Sequence, residues 1–566
     1  MSPSRRGFVA GTGAALATAA CAPFLHLFGR HDHDVIVRGG TVFDGTGAEG
    51  READVALGDG RVTAIAPRVE GSARTEIDAR GKAVAPGFVD IHSHGDGSLF
   101  DDPRAESVIR QGITTIVVGQ DGSSRAPSPR PTTAAGLVRG ALGTAGRFES
   151  MHELFRAVNR LPSAVNVASM VGLGTVRELV VGEANRPATA AELSQMRALV
   201  EGALAEGACG VSTGLEYAPG SFAPREEIVA LCRPLAARGL PYATHMRNED
   251  ETLLEAIDEA LDIARSAQCP LQISHLKTSG PRNWHKIDAA LDRIEAAKRG
   301  GLDVAFDRYP YVAYATGLTN LFPNWALDGG ADAFLARLDA ADTAPRIRRE
   351  TLAKVETVAG WNSVMIAGVT DPADKGAEGQ KLGEYAARSG TDAYDLAVAM
   401  LRRNHADVDT VVFAMSEDNL KRFLAHPLGM VCSDGGAFAI DGPARRGHPH
   451  PRGLGAFPRV LARYVRETKT LTLAQAIHKL SGFAASRLGL TDRGRLAPGM
   501  AGDVVVFDPA RVEDRATFAQ PFQYPVGIDA VIVNGHVALR DGQHADARRG
   551  RALRAAGRDT FTSQAR

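Results

Sequence analysis

Eight short apolar runs, separated by stretches of helical periodicity, constrain this chain more than any other feature. They are Phe88–Ile91, Ile113–Val118, Val165–Val171, Ala208–Ser212, Pro241–Thr244, Leu271–Ser274, Asp303–Phe306 and Met430–Ser433. Each is short and apolar enough to be a strand buried on both faces. The clearest helical patterns lie at Ala190–Ala205, Asp250–Ala267 and His285–Lys298. This alternation predicts an α/β protein built on a (β/α)8 TIM-like barrel over residues 87–493. No glycine-rich phosphate loop follows the first run, so a dinucleotide-binding sheet has no support. More than a hundred residues separate the last two runs. A connection that long predicts a lid-like insertion before the last barrel strand, over 309–389.

Short strands broken by glycine turns flank this core. Asp34–Gly40, Ala53–Leu57 and Arg61–Ile65 precede it, and Gly502–Asp508 and Ala530–Gly535 follow it. A few short strands are marginal alone in water. The two sets are therefore expected to join as one small β-sandwich domain from 34–86 and 494–545, with 546–566 as a tail. Residues 1–33 stand apart. Ser4-Arg5-Arg6-Gly7-Phe8-Val9 resembles a twin-arginine export signal, and the alanine-rich run after it is short for a membrane span. Residues 1–33 thus read as leader and linker, directing the protein to the periplasm without stable membrane insertion. A basic tail before the first strand is the alternative. Thr18-Ala19-Ala20-Cys21 is a poor lipoprotein box, which leaves a lipid anchor at Cys21 as a lesser option. A formal net charge of −1 argues against a nucleic-acid partner.

The first core strand ends in Asp90-Ile91-His92-Ser93-His94. Strand side chains alternate faces, so His92 and His94 point the same way at its end, as metal ligands would. The simpler alternative is a pair of surface histidines in a turn. In barrels of this kind reacting groups sit where strands finish. Reading that position along the chain collects Asp121 after the second strand, His245 after the fifth, His275 after the sixth and Asp434 after the eighth. The cysteines Cys21, Cys209, Cys232, Cys269 and Cys432 form no C-x-x-C pair. Four histidines and two carboxylates are a nitrogen and oxygen set suited to one or two Zn²⁺ or similar divalent ions. His26, His31 and His33 read as linker, and His285, His405, His426, His478 and His536 as structural; His448 and His450, in a Pro-rich loop after Asp434, are left open.

Pro86-Gly87-Phe88-Val89-Asp90-Ile91-His92-Ser93-His94 resembles the signature of the amidohydrolase superfamily. Ser212-Thr213-Gly214-Leu215-Glu216-Tyr217, Asp307-Arg308-Tyr309-Pro310-Tyr311, His450-Pro451-Arg452 and Leu488-Gly489-Leu490-Thr491-Asp492-Arg493-Gly494 narrow the resemblance to the D-aminoacylase (N-acyl-D-amino-acid deacylase) family. The resemblance implies that His245 and His275 hold the tighter metal, with His92, His94 and Asp434 framing a second position. It also implies a cysteine where this chain has Asp121, in Gly-Gln-Asp-Gly. An oxygen donor there can bridge two ions and shifts metal preference away from that of a thiolate. The implied reaction is hydrolysis of N-acyl-D-amino acids, with Asp434 as the group that accepts and returns the proton. Lys277, Arg452, Tyr309 and Tyr217 are candidates to bind the small-molecule substrate's carboxylate or the oxyanion. A relative acting on cyclic amides, dipeptides or lactones is a second reading, and a non-catalytic exported metal-binding protein a third. Nothing in the sequence sets the oligomeric state.

Overall fold

The computed structural model describes residues 31–128, 147–545 and 548–555. All of the expected leader before residue 31, Cys21 included, lies outside them. No helix among the described residues is long and apolar enough to cross a membrane. The first five strands are β1 (His33–Val42), β2 (Arg51–Gly58), β3 (Arg61–Ala66), β4 (Ala73–Asp78) and β5 (Ala83–Pro86). Strand β1 pairs antiparallel with β2 and parallel with β4 and β5.

From there the sheet polarity changes. Strands β6 (Phe88–Asp90), β7 (Ile113–Val118) and β8 (Asn166–Ser169) pair in parallel. Only Met170 separates β8 from β9 (Val171–Gly172), and its N–H donates to the carbonyl of Val118. Next come β10 (Val211–Gly214), β11 (Tyr242–His245), β12 (Leu271–Ile273) and β13 (Val304–Arg308), each parallel to the last. Every residue of these strands is buried, the polar Thr115, Asn166, Thr213, Gln272 and Asp307 among them. The helices between them bury one stripe each. In Leu253–Ala267 the buried positions include Leu253, Ala256, Ile257, Ala260, Leu261 and Ala264, the i, i+3, i+4 pattern.

The long connection holds β14 (Tyr314–Gly317), β15 (Val364–Gly368) and β16 (Asp409–Val412), an antiparallel sheet of its own. Its separate core runs from Leu318 to Ala414. The insertion therefore extends beyond Ser389. Strand β16 is the middle strand, paired with both β14 and β15, so the helix Ala393–Arg403 that precedes it belongs to the insertion as well. The parallel series resumes with β17 (Gly429–Val431) beside β13. Beyond β17, the N–H of Asp434 donates to the carbonyl of His92, joining the last strand end to the first.

The chain then returns to its first sheet through β18 (Val504–Phe507), β19 (Ile528–Val533), β20 (His536–Arg540) and β21 (Gln543–His544). Strand β18 lies antiparallel to β5, so the two ends of the chain do combine. The hydrogen-bonded path is one continuous sheet from β21 to β3. Alternation along β18 divides its side chains. Val504 and Val506 join Val35, Val55 and Leu57 in the small core, whereas Val505 and Phe507 enter the large one. Residues 549–553 of the expected tail run along β8, with hydrogen bonds to Ser163 and Val167.

Asp503 fastens the two units together. Its carboxylate accepts from the N–H of Asn534, from the Asn166 amide on β8 and from the Arg493 guanidinium, and Asp503, Asn166 and Arg493 are buried. Asp503→Ala removes one of the two carboxylates that pair with the buried Arg493, the other being Asp492, and leaves the buried Asn166 amide without this acceptor, which costs about 1–3 kcal/mol. A markedly lower unfolding midpoint is expected in denaturant, and an unchanged one would refute the role.

Candidate metal centre

The donors gather where the parallel strands end. His92 and His94 follow β6, Asp121 follows β7, His245 closes β11, His275 follows β12, and Asp434 follows β17. Three of these residues leave the strand in left-handed backbone: Asp121 at φ 51°, His275 at φ 35° and Asp434 at φ 50°. Such conformations cost about 1–3 kcal/mol each and persist where the surroundings fix them. The turn at Asp121 also needs Gly122, since its φ is +75° and a Cβ there would lie 2.7 Å from the Gly214 nitrogen.

One atom sits at the hub. Oδ2 of Asp121 lies 3.4 Å from Nε2 of His92, 3.4 Å from Nε2 of His94, 3.4 Å from Nε2 of His275 and 3.9 Å from Nδ1 of His245. Oδ1 of Asp434 lies 3.1 Å from Nε2 of His94 and 3.5 Å from Nε2 of His92. Nδ1 of His245 and Nε2 of His275 are 3.0 Å apart. Two donor groups result, His92/His94/Asp121/Asp434 and Asp121/His245/His275, and they share Asp121. All six residues expected from the sequence are therefore brought together. Only His94 keeps appreciable access to the opening, with 23 % of its side chain exposed.

The residues fit a divalent ion, or two. His92 is buried, yet among the described residues neither of its ring nitrogens has a hydrogen-bond partner, and Oδ1 of Asp121 is likewise buried and unpartnered. Buried polar atoms left unsatisfied cost about 1–3 kcal/mol each. Imidazole nitrogens and carboxylate oxygens directed at one space suit Zn²⁺ and its neighbours. Without an ion, protons must balance the charge. Burial lowers the affinity of His94 for a proton, but hydrogen bonds to Asp121 and Asp434 outweigh it and push the pKa up to about 10. In His245, burial is outweighed by the charge of Glu249 and hydrogen bonds to Asp121 and Glu216, again up to about 10. The Asp434 carboxyl, which burial would raise, is held low by the Arg452 guanidinium and then by His92.

The substrate-binding candidates divide. Arg452 is buried and places Nη1 2.7 Å from Oδ2 of Asp434. Its guanidinium carbon lies 4.7 Å from the centre of the Tyr309 ring, and the buried Tyr309 hydroxyl has no hydrogen-bond partner among the described residues. The ring of Tyr217 is 4.7 Å from that of His245, and its hydroxyl lies 3.3 Å from Thr316 Oγ1 of the insertion. Lys277 shares the face of His275 as its spacing predicts, but its ammonium is taken: Glu249 Oε2 is 2.5 Å away and His275 Nδ1 2.8 Å. His450 accepts the Arg452 N–H at Nδ1, and His448 lies 2.7 Å from the Phe518 carbonyl.

Three carboxylates were missed. Glu216 Oε2 lies 3.2 Å from Nε2 of His245, Glu249 Oε1 lies 3.1 Å from Nδ1 of His275, and Asp307 Oδ1 lies 3.6 Å from Nδ1 of His92. Each stands behind a histidine of the cluster, on the side away from the hub. Glu216 and Asp307 fall inside the motifs Ser-Thr-Gly-Leu-Glu-Tyr and Asp-Arg-Tyr-Pro-Tyr, which marked them. Glu249 follows His245 in a loop where no period applies.

A cluster of nitrogen and oxygen donors at the C-terminal ends of parallel strands defines the centre of a metal-dependent hydrolase. Residues 75–539 match the model of the amidohydrolase family, and the chain belongs to that family. It is 38 % identical to the N-acyl-D-aspartate deacylase of Alcaligenes xylosoxydans xylosoxydans over 517 residues, covering 91 % of this chain and 94 % of the relative. It is 37 % identical to the D-aminoacylase of the same organism over 516 residues, covering 90 % and 96 %. Its structure is similar to that of the N-acyl-D-glutamate deacylase of Bordetella bronchiseptica, solved with zinc and a phosphonate mimic of the tetrahedral intermediate. There the TM-score is 0.80 and the identity 36 %, over 92 % of this chain and 100 % of that one.

Because His94 and His245 hold protons up to about pH 10 in the metal-free protein, an ion must displace them at lower pH. Loading metal-free protein with Zn²⁺ in weak buffer at pH 8 is expected to release about two protons. A pH indicator reads the release, and binding without acidification would contradict the arrangement.

Proposed function

We propose that this centre hydrolyses the amide bond of N-acyl-D-amino acids, yielding a carboxylate and a free D-amino acid. The observation that carries the reading is the double engagement of Asp434, which faces the donor cluster through Oδ1 and Arg452 through Oδ2. The class of substrate, its D configuration and the use of zinc follow from the N-acyl-D-amino-acid deacylases that the chain resembles over nearly its whole length. His92, His94, Asp121 and Asp434 would hold one ion and Asp121, His245 and His275 another. A divalent ion there supplies Lewis acidity, which makes water nucleophilic near neutral pH and polarises the scissile carbonyl.

The chain's own residues do the rest. Asp434 accepts the proton of the attacking water at Oδ1 and returns it to the leaving nitrogen, which departs as an amine. Arg452 and the unpartnered Tyr309 hydroxyl bind the carboxylate of the amino acid, which must be paired once water is excluded. The two roles are linked. Arg452 holds the Asp434 carboxyl low while the site is free of substrate. A substrate carboxylate competes for that guanidinium and so makes Asp434 a better base as it arrives.

In this reading the eight parallel strand positions close into a barrel through the His92–Asp434 hydrogen bond, with the insertion as its lid. Strands β10 and β17 stand at opposite ends of a five-strand run. An open cleft beside Glu216, which follows β10, receives the acyl group in this reading. Glu216 and Lys354 line it, together with Asn320, Leu321, Phe322 and Pro323 from the insertion. The Arg5-Arg6 leader would carry the folded, metal-loaded protein to the periplasm.

Two variants test the assignment. Asp434→Asn is expected to lower kcat by about 10²–10⁴-fold, with at least one ion still bound by metal analysis; near-full activity would refute the role. Arg452→Ala should lose far more activity on N-acetyl-D-methionine than on N-acetyl-D-methionine amide, and an equal loss on both would remove the clamp.

A further inference from the structure

His275 can offer Nε2 to an ion only when its ring proton sits on Nδ1. Nε2 faces the cluster, 3.4 Å from Oδ2 of Asp121 and 3.0 Å from Nδ1 of His245. The opposite edge of the ring is contested. Nδ1 lies 2.8 Å from the ammonium of Lys277 and 3.1 Å from Oε1 of Glu249. An ammonium has three donors and no acceptor. If Lys277 donates to Nδ1, the imidazole carries its proton on Nε2, where the ion would bind.

Glu249 has the means to settle the contest. Its Oε2 accepts from Lys277 at 2.5 Å, and Oε1, otherwise without a hydrogen-bond partner among the described residues, is the acceptor for an Nδ1–H. Glu249, Lys277 and His275 are all buried, so bulk solvent screens the pairings little. The Glu249 backbone is fixed independently, since its carbonyl accepts the N–H of Ser279. We propose that Glu249 is a positioning residue that keeps His275 in the metal-binding tautomer, its Oε1 accepting from Nδ1–H while its Oε2 pairs with the competing Lys277 ammonium. The proposal rests on the reading of His275 as a ligand. Glu249 is not itself a ligand in this account, although it clusters with Glu216 and His245. The ammonium of Lys277 against Glu249, and that of Lys354 3.8 Å from Glu216 Oε1, already supply positive charge at that spot.

The distinguishing test is a double-mutant cycle read by metal affinity. Metal-free wild type, Glu249→Gln, Lys277→Met and the double variant are titrated with Co²⁺ and Zn²⁺ against a chromophoric chelator, and Co²⁺ absorption reports the ligand field. Glu249→Gln is expected to weaken one bound ion by about 10–100-fold, the loss typical of removing a group that orients a ligand. Adding Lys277→Met removes the competing donor and should restore most of that affinity. Unchanged affinity in Glu249→Gln, or a double variant as weak as the single one, would overturn the proposal. If Glu249→Gln does not fold, the double variant, which buries no unpaired ammonium, carries the comparison alone: affinity near wild type supports the role and a loss of about 10-fold or more refutes it. A wild-type protein that binds no ion would overturn the metal-centre reading and this proposal with it, and is told apart from the variant outcomes by that result.

Discussion

The structure depends on one carboxylate oxygen facing four imidazoles. Oδ2 of Asp121 stands within 3.9 Å of a ring nitrogen from each of His92, His94, His245 and His275. In water such a gathering would disperse. In a buried site it persists only with compensating positive charge, supplied by protons or by a cation. The left-handed backbone at Asp121, His275 and Asp434 expresses the same demand, because the fold holds three strand exits in costly conformations to aim their side chains inward. The strands and helices beneath are the support that makes those exits rigid.

The rest of the molecule serves that support in layers. The parallel strands supply the positions, and the hydrogen bond between Asp434 and His92 brings the last strand end to the first. Behind the histidines stand Glu216, Glu249 and Asp307, each on the side of its ring away from the centre. Beyond them the network reaches the insertion, where Asn320 donates to Glu216 and Lys354 lies close to it. The insertion is therefore bonded to a carboxylate that orients His245, and it also lines the cleft beside the centre. The two ends of the chain, joined through the antiparallel pair β18 and β5, are tied to the parallel strands by Asp503.

Much of this was legible in the residues. Period-two alternation placed His92 and His94 on one face, and the rule that strands end at the site collected Asp121, His245, His275 and Asp434 from positions far apart in the chain. Those signals work because a strand end is fixed by its register. Lys277 shows the limit of the same reasoning: the face was right, but the ammonium's partner, Glu249, comes from another loop and could not be read from spacing. The insertion's far boundary was missed for a related reason. Asp409–Val412 looks like any apolar strand, and only its pairing with β14 and β15 assigns it to the second core. The departure at Asp121 from the cysteine that the resemblance implies was visible directly.

Anomalous scattering from a zinc-loaded crystal tests the central claim most directly. The account predicts zinc density beside the Asp121 carboxylate, within bonding distance of His92, His94 and Asp434 on one side or of His245 and His275 on the other, or of both sets. Zinc found elsewhere in the fold, with Asp121 left unbonded, would contradict it.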